Sequence, residues 1–376
     1  MVKYQQTRAR GIMRKARCVD SWFLSRFGMN LYRGCEHACA YCDGRAEKYR
    51  VEGRFGQEIQ VKVNAPELLR REIPRLGEQG FLFLGGGVSD AYQPAEADHG
   101  LARAALEVAL ENERPVHLLT KGLLARRDLA LLDEINKQSG AILSVSLSTL
   151  DPELAAVMEP ACPPPLDRLA LVAQAHSRGL GAGVMLMPTL PYLSDGDDQL
   201  EAAARAISDA GADFALVSGL TLKPGRQREH FYSVLAQLDP GLVPRYQALY
   251  GDDPHGTPRG TGRPPLERRF ISIAARVGLN MRIPHRLYRG RVPRNVEAAM
   301  VLLHLGEMLR WRGEPARDYQ ASGRALLQLR ESVADLAPAG MLGSAPGLGR
   351  GGREVVEELL ETGRCLAYEA LMPREG

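Results

Sequence analysis

Three of the chain's six cysteines fall within eight residues, Cys35-Glu-His-Ala-Cys39-Ala-Tyr41-Cys42, in the order Cys, three residues, Cys, two residues, Cys. Three soft thiolates can hold three corners of a four-iron, four-sulfur (4Fe-4S) cluster. The fourth iron is then left open to a small molecule. Zinc is the competing occupant, since His37 lies among the thiols and zinc takes four N or S ligands in a tetrahedron. Structural zinc sites draw their ligands from two separated knuckles, and the sequence holds no second Cys-x-x-Cys pair. The charged start, without an amino-terminal apolar segment, predicts a cytoplasmic chain rather than a disulfide framework.

Such a loop needs a scaffold. With 376 residues, 45% hydrophobic and 25% charged, the chain can bury a large core and is long enough for two domains. No apolar run reaches membrane-spanning length. After the cysteines, short apolar runs alternate with amphipathic segments such as Asp98 to Glu111 and Asp197 to Ala210, the pattern of β/α units on a parallel sheet. The expected strands are Met29 to Tyr32, Phe81 to Leu84, Pro115 to Thr120, Ala141 to Leu147, Gly181 to Met187 and Asp213 to Val217. The cysteine loop follows the first, Gly85-Gly86-Gly87 the second, Thr120-Lys121 ends the third and Pro188 follows the fifth. That is the carboxyl edge, where β/α barrels build their sites.

The segment Gly85-Gly-Gly-Val-Ser89-Asp90-Ala-Tyr92-Gln93-Pro-Ala-Glu96 is joined by Thr120-Lys121, Arg127-Asp128, Ser144, Ser146, Ser148, Thr149, Glu159-Pro160 and Arg168-Leu169. With the cysteines, these resemble the radical S-adenosylmethionine (radical SAM) superfamily, in its spore photoproduct lyase-like or DNA repair photolyase-like branch, over residues 25–250. The resemblance implies an α/β fold, a partial (β/α)6 barrel. It also implies a 4Fe-4S cluster on Cys35, Cys39 and Cys42 whose open iron chelates S-adenosyl-L-methionine. By the same resemblance Tyr41 lies against the adenine, and Gly85 and Gly86 line the methionine end. Ser89 and Ser146 hydrogen-bond SAM, and Lys121 pairs with its carboxylate, a charge match that also stands on physical grounds. Two positions depart from the family. Asp43-Gly44-Arg45 follows Cys42 where relatives more often have an aromatic residue, and Gly87 stands where true spore photoproduct lyases carry the cysteine that returns a hydrogen atom. Cys18, Cys162 and Cys365 are the remaining thiols.

Charge is uneven. Residues 1–34 hold eight Lys or Arg against one acid, Asp20, and residues 281–330 hold ten Arg against four acids, a footprint for a polyanion. The Gly- and Pro-rich stretch 251–265 reads as a linker, and the pattern after about 295 is purely helical. There Pro346-Gly347-Leu348-Gly349-Arg350 opens a helical segment, a turn expected to aim backbone N–H groups outward at phosphates. It resembles a helix-hairpin-helix motif, and residues 295–365 resemble the amino-terminal domain of family X DNA polymerases. No lysine follows Lys223, so the Schiff-base lyase activity of that domain is not expected.

The expected organisation is a basic segment 1–28, a barrel 29–250, a linker and barrel-covering segment 251–294 and a helix-hairpin-helix domain 295–376 with Gly347, Gly349 and Arg350 on DNA. The expected function is a lyase-like radical SAM enzyme that repairs or remodels a DNA base, supplied with electrons by a flavodoxin or ferredoxin and independent of membranes. Radical modification of RNA or protein, and a noncatalytic iron-sulfur DNA-binding redox sensor, are the alternatives.

Overall fold

The computed structural model describes residues 2–51, 53–77, 79–260 and 263–374. Among these residues ten strands form: β1 Lys3–Thr7, β2 Met13–Asp20, β3 Ser25–Met29, β4 Tyr32–Arg33, β5 Glu58–Lys62, β6 Phe81–Leu84, β7 Val116–Thr120, β8 Ala141–Leu147, β9 Gly181–Thr189 and β10 Phe214–Gly219. Seven of them make one sheet in the order β10-β9-β8-β7-β6-β3-β2, curled into a half-barrel. The six from β3 to β10 run parallel, and β2 lies antiparallel on β3. The expected six-unit half-barrel is therefore present.

Local sequence explains each place in the sheet. Strand β8 reads Ala-Ile-Leu-Ser-Val-Ser-Leu and every residue is buried, as in a central parallel strand covered on both faces. Edge strand β2 reads Met-Arg-Lys-Ala-Arg-Cys-Val-Asp and is mostly exposed, its cations discouraging pairing with another chain. The first parallel strand is Ser25–Met29, not Met29 to Tyr32; Tyr32–Arg33 pairs instead in a separate three-stranded sheet, β1-β5-β4. The basic segment 1–28 thus supplies strands to both sheets.

Inside the half-barrel, Phe23 stacks on Phe83 at 4.3 Å, and His117 meets both rings edge-on or tilted at 5.8 Å. Phe214 closes the group 6.4 Å from His117. Two apolar cores result. The main one runs unbroken from the sheet into the carboxyl-terminal helices, including Leu302, Met308, Val356 and Tyr368. A smaller one at the carboxyl edge packs Cys39, Ala40 and Tyr41 against Leu190, Leu220, Phe231, Tyr246 and Tyr250.

The carboxyl-terminal region is helical, as expected, but shares that core with the barrel. The helix Arg294–Arg312 buries most of its length, and His304 contacts the Ser21 carbonyl at 2.8 Å. Much of the arginine excess in 281–330 is used internally. Arg282 lies between the Trp22 and Trp311 rings and pairs with Glu307 at 2.6 Å. Arg286, Arg294 and Arg312 pair with Asp213, Glu297 and Glu314. Among the described residues no helix is long and apolar enough to cross a membrane.

Candidate functional site: the cysteine cavity

A cavity of about 380 Å³ opens at the carboxyl edge of the half-barrel, within the size range of small-molecule sites. Cys35, Cys39 and Cys42 line it together with Tyr41, Gly86, Gly87, Ser89, Lys121 and Ser146. Phe23, Phe83, Leu119 and Met187 supply apolar walls. Gly85 is the exception among the expected residues. A Cβ there would meet Phe83 and Leu119 at 2.9 and 3.0 Å, so it allows two strands to pack closely and does not line the cavity.

The cysteine loop is pinned from several directions. Gly34 enters it at φ 83° and Ala38 sits at φ 52°, backbone shapes that need outside support in a residue with a Cβ. Glu36 N–H donates to Gln93 Oε1 at 2.9 Å, and the Glu36 carboxylate accepts from Ala95 N–H at 2.6 Å. Arg45 donates to the carbonyls of Ala38 and Cys39 at 2.7 and 3.0 Å. Asp43 joins the loop to the exit of β10, accepting from Lys223 Nζ at 2.6 Å and Gln227 Nε2 at 3.0 Å. Much of the Ser-Asp-x-Tyr-Gln-Pro-x-Glu motif is this scaffolding: Tyr92 donates to Asp128 at 2.9 Å and Glu96 accepts from Tyr32 at 2.6 Å.

Charge converges on the thiols. Lys121 Nζ lies 3.0 Å from Ser146 Oγ and 5.7 Å from the centre of the Tyr41 ring. Burial opposes its charge, but Cys39 and Glu159 outweigh burial and raise its pKa. The Cys39 thiol is pulled down to about 7, first by a hydrogen bond with Cys162, 3.7 Å away, and then by Lys121 against the cost of burial. Burial pushes Cys42 up to about 12 and Cys35 well above the ordinary thiol range. Glu159 is fully enclosed, pairs with Arg168 and accepts hydrogen bonds from Tyr41 and from Ser148, the last at 3.0 Å. Arg168 also donates to the Ser146 carbonyl at 2.7 Å. This buried network fixes Tyr41 and strand β8 relative to the cysteines.

Spacing made His37 the zinc alternative's fourth ligand and gave Asp90 no role of its own. His37 Nε2 lies 3.3 Å from Asp90 Oδ2, ion-pair range but without hydrogen-bond alignment, and Nδ1 faces the Ala161 carbonyl at 3.2 Å. Asp90 also accepts from Thr120 Oγ1 at 2.6 Å and Lys121 N–H at 2.7 Å. Against burial, these partners hold its pKa down at about 2. Nδ1 is thus turned to a backbone carbonyl, while Nε2, beside Asp90, has no aligned hydrogen bond. Among the described residues no His, Cys, Asp and Glu group is already gathered for a single metal ion. His37, Asp43 and Asp90 line the cavity as well, but the three thiols from one loop with Lys121 beside them fit a cluster bound on three corners next to an anionic ligand.

The other sites differ from expectation in one respect. The turn at Gly347–Gly349 does open a helix, Arg350–Thr362, but its N–H groups do not point outward. Asp318 Oδ2 accepts from Gly351 and Gly352 N–H at 2.8 and 3.3 Å, and Ser322 Oγ accepts from Gly349 N–H at 3.0 Å. Arg350 is exposed and pairs with Glu354 at 2.9 Å. Of the spare thiols, Cys18 is exposed on β2, Cys365 is buried among the carboxyl-terminal helices, and Cys162 stands behind Cys39.

Comparison with known proteins bears on the same residues. The family model described as the Radical SAM superfamily matches residues 29–233. An uncharacterised protein of Mycobacterium tuberculosis (strain ATCC 25618 / H37Rv) is 35% identical over 258 residues, covering 68% of this chain and 75% of its own length. An uncharacterised protein of Methanocaldococcus jannaschii is 28% identical over 172 residues, covering 46% of this chain and 63% of its own. Among solved structures, spore photoproduct lyase complexed with dinucleoside spore photoproduct superposes with a TM-score of 0.53 at 15% identity, covering 73% of this chain and 79% of that one.

Proposed function

The chain belongs to the radical SAM superfamily, with the half-barrel of spore photoproduct lyase, and from that premise we propose that it is a SAM-dependent radical enzyme acting on a damaged or modified DNA base. The family implies SAM and an iron-sulfur cluster. When bound, a 4Fe-4S cluster supplies the electron that cleaves SAM and leaves a 5'-deoxyadenosyl radical.

In this reading Cys35, Cys39 and Cys42 hold three corners of the cluster. All three thiols must give up their protons for metal to bind. Lys121 meets the SAM carboxylate, Ser89 and Ser146 hydrogen-bond its polar groups, and Gly86 leaves backbone room beside it. The Tyr41 ring, held by Glu159, braces the adenine. Phe23, Phe83, Leu119 and Met187 exclude water from the reacting carbon. Apart from the three ligands no cysteine lines the cavity among the described residues, so the product radical regains its hydrogen by a route other than a thiol at position 87.

The observation that carries the reading is the convergence of three thiols from one loop with Lys121 and Ser146 on a single cavity. DNA is the substrate class inferred from the spore photoproduct lyase fold, and phosphate contacts fall to exposed arginines, since the N–H groups of Gly349, Gly351 and Gly352 already have partners. The test is anaerobic reconstitution with iron and sulfide, followed by SAM, reductant and a panel of deuterated damaged DNAs. Iron bound by the wild type but not by Cys42→Ala, together with 5'-deoxyadenosine production, is expected. Deuterium should move into 5'-deoxyadenosine from one of the DNAs. Transfer from RNA or protein instead would overturn the substrate, and iron binding without any SAM cleavage would leave a redox sensor.

A further inference from the structure

The carboxyl edge carries a second cleft, of about 780 Å³, lined in part by Tyr192, Asp195, Arg245, Arg259 and Arg263. We propose that this cleft binds an unpaired stretch of DNA strand and leads it to the cysteine cavity; the proposal rests on the DNA reading above.

Charge is the first reason. Three guanidinium groups face one carboxylate, and Arg263 stands 3.9 Å from that carboxylate, Asp195. Arg245 and Arg259 are exposed and have no carboxylate partner among the described residues. Such a strip matches a phosphate backbone.

The second reason is an aromatic surface. Tyr192 is 39% exposed, and the Arg245 guanidinium carbon lies 3.9 Å from its ring centre. The buried Tyr246 ring props it edge-on at 5.8 Å. An exposed ring flanked by arginine is a stacking platform for a base, and only a base already out of the duplex stack can use it. Tyr192 is also held at φ 65°, a conformation rare for a bulky residue. Observed strain of this kind concentrates at functional positions.

The third reason is position. Met187 and Pro188 of β9 line the cysteine cavity, and the same strand leads directly into Pro191 and Tyr192. The helix Leu242–Tyr250 presents Arg245 outward while its inner face is fastened to both strand exits. Tyr246 Oη donates to the Pro191 carbonyl at 2.5 Å, and Tyr250 Oη donates at 2.8 Å to the carbonyl of Leu220, a cavity residue. The platform is thereby held at a constant offset from the thiols.

The experiment uses the full chain and fluorescein-labelled single-stranded DNA, a matched duplex and a matched RNA, read by anisotropy between roughly 50 and 200 mM salt. The Tyr192→Ala/Arg245→Ala double variant should bind the single strand about tenfold or more weakly. Tyr192→Phe, which keeps the ring, should retain wild-type affinity, and Arg245→Ala/Arg259→Ala should flatten the salt dependence. Leu166→Ser, an exposed and uncharged change on the helix Pro165–Ser177, should bind as the wild type does. Thermal melts of each variant control for folding. Undiminished binding by both double variants overturns the cleft and leaves the DNA reading intact. A wild type that binds no DNA, or prefers the RNA, overturns both.

Discussion

The cysteine loop and the glycine turn at 347–349 are both backbone devices that end in chemically hungry groups, and they meet opposite fates. Around Cys35, Cys39 and Cys42, the surrounding contacts hold the loop from behind while the thiols stay directed into a cavity. At the turn, the N–H groups that could hold a phosphate are taken by Asp318 and Ser322 of the adjoining helix. Two motifs of similar promise therefore differ in whether the fold leaves their free groups unfilled. A binding motif is a site only where the rest of the chain declines to occupy it.

That contrast can be tested from its strongest point downward. Arg168→Ala would leave the enclosed Glu159 carboxylate without its paired guanidinium, with only the more distant Lys121 to offset its charge, and should cost about 3 kcal/mol. Arg350→Ala, at an exposed pair, should cost nothing measurable. Urea titrations check both, and a loss below about 1 kcal/mol for Arg168→Ala would mean the network behind Tyr41 is not what holds it.

Acid should act on both regions together. Burial lowers His117, inside the half-barrel, to about 4, and His304, in the carboxyl-terminal helices, to about 3. Both are neutral when folded and take up a proton on unfolding below the unfolded value of about 6.5. Stability is therefore complete above that pH and declines as pH falls toward 4, by about 1.4 kcal/mol per pH unit for each histidine. Trp22 and Trp311 fluorescence should follow a single transition. An earlier phase confined to helical circular dichroism would break the shared core in two.

Asp318→Ala should cost about 1 kcal/mol, the worth of a helix cap, and phosphate buffer should restore part of the loss by occupying the freed N–H groups. Equal stability in phosphate and chloride would show that the turn holds no latent anion site. The smallest effect belongs to Gly87→Ala, whose added Cβ meets no atom within 4 Å, and stability should stay within about 0.5 kcal/mol of wild type. A larger loss would mean the cavity wall there is closed.

Much of this was legible in the sequence, and for identifiable reasons. Strands β6 to β10 showed themselves because parallel strands buried on both faces are apolar runs, and the cysteines, Lys121 and Ser146 because they sit at strand ends or follow fixed spacing. Strand β2 was hidden because an exposed basic edge carries no apolar period. Its neighbour β3 alternates, but with Arg26 and Gly28 as the half-buried partners of Ser25, Phe27 and Met29. The contact of His37 with Asp90 and the roles of Cys162 and Glu159 could not be read because each depends on a contact made across the fold; Tyr41 and Glu159, for instance, are 118 residues apart. Asp318 misled for the same reason, since its spacing from Gly351 says nothing of a hydrogen bond between two helices.

The carboxyl-terminal region from Asn280 onward touches the half-barrel at both of its open margins. His304 reaches Ser21 in the turn between β2 and β3, while Asn280, Arg286 and Arg374 grip Ala212, Asp213 and Phe214 at the start of β10. These contacts all lie on the rim opposite the thiols. Contacts at both ends of one rim oppose flattening of the curved sheet, as a hoop around one end of a cask holds its staves.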